Sequence, residues 1–320
     1  MRHLRVKRPG PRTTVEDLGR LRVARFGVPP GGAFDALSLV AANRLVGNRD
    51  GLAGLELTLL GPVLDNTGDE SIVAALVGAE IDATVAHAGG SQTTPAGTAF
   101  EIPPGATLRL GLPLRAARAW LGFAGGIDVP SVLGSRGTCV PGAFGGLDGR
   151  ALAAGDTLPL GPAKRPARPD AWHDPARTDA SPSTLGILAG PQQHLFAPDV
   201  IDRLCSIPWS VQPTSDRTGV RLATSEGHAG AGLEAPPGIA PEGTTLGAIQ
   251  LPPGGDPIVL GPDRPITGGY AKPAVVVRAH LGRLARVRPG ETVRLVATSL
   301  DEALELERDR RASLPEEQDG

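Results

Sequence analysis

The sequence predicts a mainly-β protein of two tandem domains with a few short helices, and three observations lead there. First, 44 glycines and 32 prolines are spread through 320 residues. They punctuate short apolar runs, the pattern of strands joined by many turns. Second, the segment Gly161 to Thr184 is rich in Pro, Ala and Asp, includes Pro162, Pro166, Pro169, Pro175 and Pro182, and lacks apolar periodicity. That is linker chemistry. Third, the halves share a faint repeat in the same order. Gly54-Leu55-Glu56-Leu57 and then Ile102-Pro103-Pro104-Gly105-Ala106-Thr107-Leu108-Arg109-Leu110 occur in the first half. Gly247-Ala248-Ile249-Gln250-Leu251 and then Val287-Arg288-Pro289-Gly290-Glu291-Thr292-Val293-Arg294-Leu295 occur in the second. A duplicated domain accounts for that order. The resulting division is 1–161, a linker at 162–184, a second domain at 185–300 and a charged helix and tail at 301–320.

Taken in chain order, Phe34, Leu37, Val40, Ala41 and Leu45 lie at helical spacing, and Gly47 offers a left-handed stop. Strands are predicted over Ser71–Val77, Thr98–Ile102, Thr107–Leu112 and Ala119–Ala124 in the first half. In the second they fall over Leu185–Ala189, Pro257–Leu260, Ala274–Ala279 and Thr292–Ala297. All are short, rich in Val, Ile and Leu, and bounded by Gly or Pro. Pro198 opens a short helix through Leu204. Ser299 and Glu302 form a capping box at the head of a C-terminal helix, whose tail from Glu305 to Gln318 is expected to be solvated and frayed.

Composition excludes several functions. Net charge is −2, the pI is near 6.3 and aromatic residues make up 3%. Nucleic acid and anionic membrane are therefore poor partners. The basic start, Met1 to Pro9, is followed by no apolar stretch, so no signal peptide is expected, and no run reaches the ~18 apolar residues of a membrane span. Cys139 and Cys205 form no CxxC and suit a reducing cytoplasm. There is no GxxxxGK[ST] loop and no Gly-x-Ser-x-Gly elbow, and the six histidines show no metal-ligand spacing. As a stand-alone ATPase, metallohydrolase or serine hydrolase the chain is incomplete, which points to one component of an enzyme whose active site needs partners.

The residues that carry chemistry gather at Asp263-Arg264 and Thr267-Gly268-Gly269-Tyr270-Ala271-Lys272. Tyr270 is the only tyrosine, and Lys272 is one of three lysines with Lys7 and Lys164. Their coincidence in a glycine turn, where backbone can approach a ligand, marks the centre of a small-molecule site. Four further stretches are candidates for binding. Thr13, Thr14, Asp17 and Arg20 flank a turn, where Asp17 and Arg20 either hold a ligand or pair with each other. Gly31 and Gly32 open the helix that carries Asp35 and Asn43, presenting N–H groups to an anion, although Asp35 is better read as a cap. Arg136 lies in a glycine-dense stretch and can fork a carboxylate, and nearby Cys139 reads as an inert thiol. Asp216 and Arg217 echo Asp263 and Arg264; each arginine either lines one pocket with Tyr270 and Lys272 or pairs with its own aspartate.

Read together, these motifs resemble one family. Gly10-Pro11-Arg12-Thr13-Thr14-Val15-Glu16-Asp17-Leu18-Gly19-Arg20 is followed by Phe26-Gly27-Val28-Pro29, Gly32-Ala33-Phe34-Asp35 and Ala42-Asn43-Arg44-Leu45-Val46-Gly47-Asn48. Leu55-Glu56-Leu57-Thr58-Leu59-Leu60-Gly61-Pro62, Gly134-Ser135-Arg136-Gly137-Thr138 and Ser215-Asp216-Arg217-Thr218-Gly219-Val220-Arg221-Leu222 come next, and the Asp263–Lys272 segment closes the series. The pattern, from Leu4 to Leu300, is similar to the C-type component of bacterial 5-oxoprolinase, a family also called biotin-dependent carboxyltransferase or allophanate hydrolase subunit 2. The resemblance implies two tandem cyclophilin-like β-barrels and two partners, a B-type homologue and an A-type (LamB/YcsF-type) homologue. It also implies ATP with Mg at the level of the complex, and ATP-driven opening of a lactam, 5-oxoproline, to glutamate. Arg264, Lys272 and Arg217 would then face developing negative charge, and Tyr270 would donate to a carbonyl or carboxylate; Tyr270, Lys272, Arg264 and Asp263 are the expected catalytic residues. Thr13, Thr14, Asp17, Arg20, Asp35, Asn43, Arg136, Asp216, Arg217, Thr267, Gly268 and Gly269 are the expected substrate-binding ones. The alternatives are a carboxyltransferase module of a biotin-dependent urea or amide carboxylase, with biotin supplied by another protein, and a regulatory partner of the B-type homologue.

Overall fold

The computed structural model describes residues 2–111, 116–168, 171–173, 183–224 and 233–317. It divides into two compact units, Met1–Val23 with Pro30–Asp174 and Ser313–Gly320, and Ala24–Pro29 with Pro175–Ala312. Both are mainly β.

The first unit contains β1 (His3–Arg8), β2 (Arg12–Glu16), helix α1 (Ala36–Leu45), β3 (Gly54–Thr58), β4 (Val63–Asn66), β5 (Ile72–Val77) and β6 (Asp82–His87). β7 (Gly90–Pro95), β8 (Ala99–Ile102), β9 (Thr107–Leu110), β10 (Arg118–Phe123) and β11 (Thr157–Pro159) follow. They pair as two sheets, β11-β1-β4-β9-β6-β7 and β2-β3-β10-β5-β8. Leu4, Val6, Leu55, Leu57, Leu64, Leu108, Leu121 and Phe123 belong to one core cluster, so the period-2 alternation of β1 and β9 turns one face inward. β10 is buried on both faces because α1 covers the second. A Cβ on Gly122 would already lie 3.0 Å from the Ala42 backbone, which is why the strand needs glycine there.

The second unit is a closed barrel. Its strands are β12 (Ser183–Ala189), β13 (Pro208–Val211), β14 (Gly219–Thr224), β16 (Ala248–Gln250), β17 (Ile258–Leu260), β19 (Ala274–Val276) and β20 (Thr292–Ala297), in the order β12-β19-β16-β17-β14-β13-β20. β20 closes it by pairing with β12 in parallel, Ser183 opposite Val293. The short strands β15 (Glu242–Gly243) and β18 (Thr267–Gly268) form a ribbon of their own. Among the described residues of the unit, its α-helices are α2 (Val200–Ser206), α3 (Leu281–Arg286) and α4 (Leu300–Ala312).

The internal repeat is visible as a shared turn. Gly105 and Gly290 have φ of 76° and 85°, and Ala106 N donates to Pro103 O at 3.0 Å just as Glu291 N donates to Arg288 O at 3.0 Å. The strands after the turn are used differently, β9 lying between β4 and β6 and β20 between β12 and β13. All eight predicted strands fall on observed ones, most with ends shifted by one or two residues. For β9, Leu112 of the predicted span lies outside the described residues, and the strand predicted over Ala274–Ala279 stops three residues early, at Val276. Beyond Val276 the apolar residues Leu281, Leu284 and Ala285 switch to helical spacing. The capping box forms as expected, Ser299 Oγ and N each lying 2.8 Å from Glu302 Oε2.

The frayed tail is a correction. α4 runs to Ala312, and Arg310 is buried, with Nη1 3.3 Å from Ala279 O. Beyond it, Ser313 O accepts from Trp172 Nε1 at 2.6 Å and Pro315 O from Arg44 Nη1 at 2.8 Å. Those partners supply the order that composition alone does not promise. Within the expected linker, Arg168 N donates to Leu45 O at 2.8 Å and Trp172 N to Gly97 O at 2.8 Å, so this part lies against the first unit. No helix among the described residues is long and apolar enough to cross a membrane.

Candidate functional site

The residues singled out in the second unit come together. Arg217 and Asp263 form a buried, two-pronged ion pair, Nε to Oδ2 at 2.9 Å and Nη2 to Oδ1 at 3.0 Å. Asp263 N also donates to Arg217 O at 3.0 Å, and a Cβ on Gly261 would sit 2.1 Å from that oxygen. The two Asp-Arg turns are therefore pressed together, and Arg217 looks past its sequence neighbour. Asp216 instead caps its own turn, accepting from Thr218 N at 2.7 Å and Gly219 N at 3.1 Å. A buried pair of this kind holds two turns in register; its carboxylate and guanidinium capacity is largely spent.

Arg264 differs. Its Nε is buried without a hydrogen-bond partner, Nη1 makes only a 3.4 Å contact to Gly261 O, and burial pushes the guanidinium pKa down. Pro265 leads from it to a cavity of about 230 Å³ whose wall includes Asp216, Thr218, Arg221 and Gln250. Gln250 is 6% exposed, and no hydrogen bond from its amide occurs among the described residues. A buried, uncommitted amide on a cavity wall is a ready contact for a polar ligand.

The following segment is fixed at almost every backbone position. Gly268 pairs with Glu242 across β15 and β18, Gly269 O accepts from Ile239 N at 2.8 Å, and Ala271 O from Leu251 N at 3.1 Å. Here the expected glycine turn is corrected: Gly268 lies in a strand, neither Gly268 nor Gly269 has a left-handed φ, and the space a Gly268 side chain would need is taken by Gln250 Nε2, 2.7 Å from that Cβ. Tyr270 is 43% exposed. Lys272 is buried, its Nζ 2.8 Å from Glu242 Oε1 and 3.4 Å from Tyr270 O. Gln192 completes the cluster, donating to Glu242 Oε1 at 2.9 Å and accepting from Lys272 N at 3.2 Å. Lys272 and Gln192 hold the Glu242 carboxyl below the usual carboxylate range. Thr267 is exposed on β18. Gln192, Glu242 and Gln250 are not expected from sequence; they lie far from the motif, and no spacing pattern links them to it.

In the first unit the polar residues serve the fold. Asp17 is buried and accepts from Gly19 N at 2.8 Å, Ser135 Oγ at 2.6 Å and Arg136 N at 2.6 Å, so it does not pair with Arg20. Arg20 has no exposed surface; its Nη2 donates to Gly137 O and its guanidinium lies 4.9 Å from the centre of the Phe144 ring. Thr13 Oγ1 donates to Pro9 O at 2.5 Å, and Thr14 is buried in β2 opposite Glu56. Asp35 caps α1, taking Ser38 Oγ at 2.7 Å and Ser38 N at 3.3 Å. The anion at the glycine-rich helix entrance is the protein's own Glu56, whose Oε2 accepts from Phe34 N at 2.8 Å and Trp120 Nε1 at 3.2 Å. Asn43 spends its amide on Asp50 O, Leu52 O and Asn48. Arg136 Nη2 meets Asp128 at 2.8 Å.

The two mainly-β units, the second with a closed barrel, have the architecture of carboxyltransferase-like domains. The family model of the carboxyltransferase domain, subdomain A and B, matches residues 26–297, and the chain belongs to that family. It is 35% identical to a urea amidolyase of Lachancea kluyveri over 98% of this chain. To the C-type component of 5-oxoprolinase from Escherichia coli it is 33% identical, over 96% of this chain and 95% of that one. The crystal structure of the Kluyveromyces lactis urea amidolyase superposes with a TM-score of 0.86 at 32% identity, over 99% of this chain and 20% of that chain. The chain spans only 18% of the length of the Lachancea urea amidolyase. Its relatives are thus parts of enzymes, as a separate component in one case and as a segment of a longer chain in the other.

Proposed function

We propose that this chain is one component of a cytoplasmic ATP-dependent 5-oxoprolinase, active together with A-type and B-type homologues. The supporting observation is the mutual match to the C-type 5-oxoprolinase component, which covers 96% of this chain and 95% of the relative. Lactam opening requires attack on a resonance-stabilised carbonyl, and ATP, bound with Mg at the level of the complex, supplies the phosphoryl group that makes that carbon electrophilic. Among the described residues no cluster of His, Cys, Asp or Glu is built to hold a metal ion on this chain. What the chain contributes is charge and position. Arg264, desolvated and with an uncommitted Nε, stabilises negative charge as it develops on oxygen. Tyr270 presents a phenol from a rigid loop, and Gln250 offers an amide from the cavity wall. Lys272, tied to Glu242 and Gln192, sets the height of that loop.

The test is glutamate and ADP release from 5-oxoproline and ATP, with this chain and its A-type and B-type partners mixed and with this chain omitted. Release should require the full mixture. Lys272→Ala should abolish turnover while the assembly still elutes as one species; full activity in that variant would sink the site assignment. A second reading, a carboxyltransferase module of a urea or amide carboxylase, is favoured by the urea amidolyase match. Transfer from carboxylated biotin on a separate protein to urea, with no glutamate formed from 5-oxoproline, would select it.

A further inference from the structure

A second cavity lies wholly in the first unit and is independent of the reading above. It measures about 280 Å³ and is walled by Arg49, Arg136, Lys164 and Arg165, with Asp128 as its one carboxylate. Arg136 is held by Asp128 at 2.8 Å, yet its Nε is buried without a hydrogen-bond partner. Arg49 and Lys164 are exposed and make no ion pair among the described residues. With Arg165 left out of the count, Arg49, Arg136 and Lys164 against Asp128 already leave a formal excess of two positive charges. The C-terminal end of α1 abuts the cavity at Gly47, but a helix terminus carries only about half a unit of negative charge. That is too little to cancel the excess.

The cavity is built rather than incidental. Asn48 Nδ2 donates to Phe123 O at 2.7 Å while its Oδ1 accepts from Gly125 N at 2.7 Å. Gly125 and Gly126 have φ of 90° and 68°, and a Cβ on Gly125 would fall 2.1 Å from Gly161 O. A Cβ on Gly47 would fall 2.5 Å from Pro166 O. Glycine contacts at both ends thus hold the stretch that carries Lys164 and Arg165 against the floor. Such preorganisation lowers the ordering cost of binding.

We propose that this cavity is a binding site for a compact dianionic metabolite, carrying a phosphoryl group or two carboxylates on a short carbon body. The guanidinium forks of Arg49 and Arg136 and the ammonium of Lys164 match those groups, and Leu52, Ile127 and Pro162 give an apolar wall for the body. The volume lies just below the ~300 Å³ at which drug-sized pockets begin, which favours a small metabolite over a nucleotide.

The experiment is calorimetric titration of the whole protein with glycerol 3-phosphate and, separately, with succinate. Saturable one-to-one binding of either is expected. Preference for glycerol 3-phosphate assigns a phosphoryl ligand, and preference for succinate a dicarboxylate. Arg49→Gln and Lys164→Gln should each weaken binding about tenfold, the loss of one charged hydrogen bond. Asp128→Asn should tighten it several-fold by freeing Arg136, a gain that misfolding cannot imitate. Arg5→Gln, at an exposed arginine outside the cavity, should change nothing. Absence of saturation with both probes, or equal weakening by Arg5→Gln, overturns the proposal.

Discussion

Asp17 and Asp216 make the same local turn in the two units, each accepting from the backbone N–H two residues on, and yet they do different work. Asp17 is buried and gathers Ser135 and Arg136 from more than a hundred residues away. Asp216 is exposed and serves only Thr218 and Gly219. Their companion arginines invert the order: Arg20 rests on a carbonyl and a ring, whereas Arg217 enters a buried two-pronged pair with Asp263. An Asp-Arg motif therefore states turn chemistry and leaves its role to burial. In the first unit Asp17 is consumed by the fold, and Arg20 is sealed inside it, with Nε and Nη1 buried without hydrogen-bond partners. In the second, Arg217 takes the structural load and leaves Arg264, Gln250 and Tyr270 available.

That contrast can be broken or sharpened by substitution. The largest effect is expected for Arg217→Ala, which strands the Asp263 carboxylate in the interior and should cost about 3–5 kcal/mol in urea unfolding. An effect below about 1 kcal/mol would show that the pair does not hold the second unit together. The next separates the units by pH. His280, in the second unit, accepts from Gly186 N at 2.7 Å, and burial, with Arg283 and Arg310 nearby, lowers its pKa to about 4. Above about pH 6.5 it is neutral in both the folded and the unfolded chain. As pH falls through that value the unfolded chain takes up the proton first, so stability is lost progressively towards pH 4, by up to roughly 3 kcal/mol. His280→Asn, which retains an acceptor, should flatten that slope in melts recorded from about pH 7 down to about pH 4.5.

Asp17→Ala should cost roughly 2–3 kcal/mol by leaving buried donors unmet, while Asp216→Ala should cost under about 1 kcal/mol. Equal effects would erase the distinction between the turns. Smallest are Gly105→Ala and Gly290→Ala. Neither added Cβ meets anything within 4 Å, so only the left-handed φ is strained, at about 1 kcal/mol each. Matched losses would confirm that the repeat is one turn used twice.

Much of the fold was legible because its signals are local. Apolar runs between Gly and Pro located eight strands, Ser299 with Glu302 announced a cap, and the two Pro-Gly turns exposed the repeat. β7, with the sequence GSQTTP, carries no apolar alternation because neither face is fully buried, and so it stayed hidden. The candidate residues of the Asp263–Lys272 segment stand out in the sequence by rarity, since the chain's only tyrosine lies there. Their partners were not: Gln192 and Glu242 reach Lys272 from elements 80 and 30 residues away through tertiary pairing, which leaves no trace in spacing. For the same reason a glycine that looks like a ligand approach, Gly268, turns out to yield its room to Gln250.

The parallel seam between β12 and β20 also has a temporal meaning. Ser183 must find Val293, so the barrel's first strand waits for its last to leave the ribosome. Until then its edge is an open row of unpaired backbone, open to aggregation or chaperone capture. The sheets of the first unit draw all their strands from residues before 160 and suffer no such delay. Nascent chains stalled before Thr292 should thus carry a protease-resistant first half and a digestible second, so that synthesis itself sets the order in which the two halves mature.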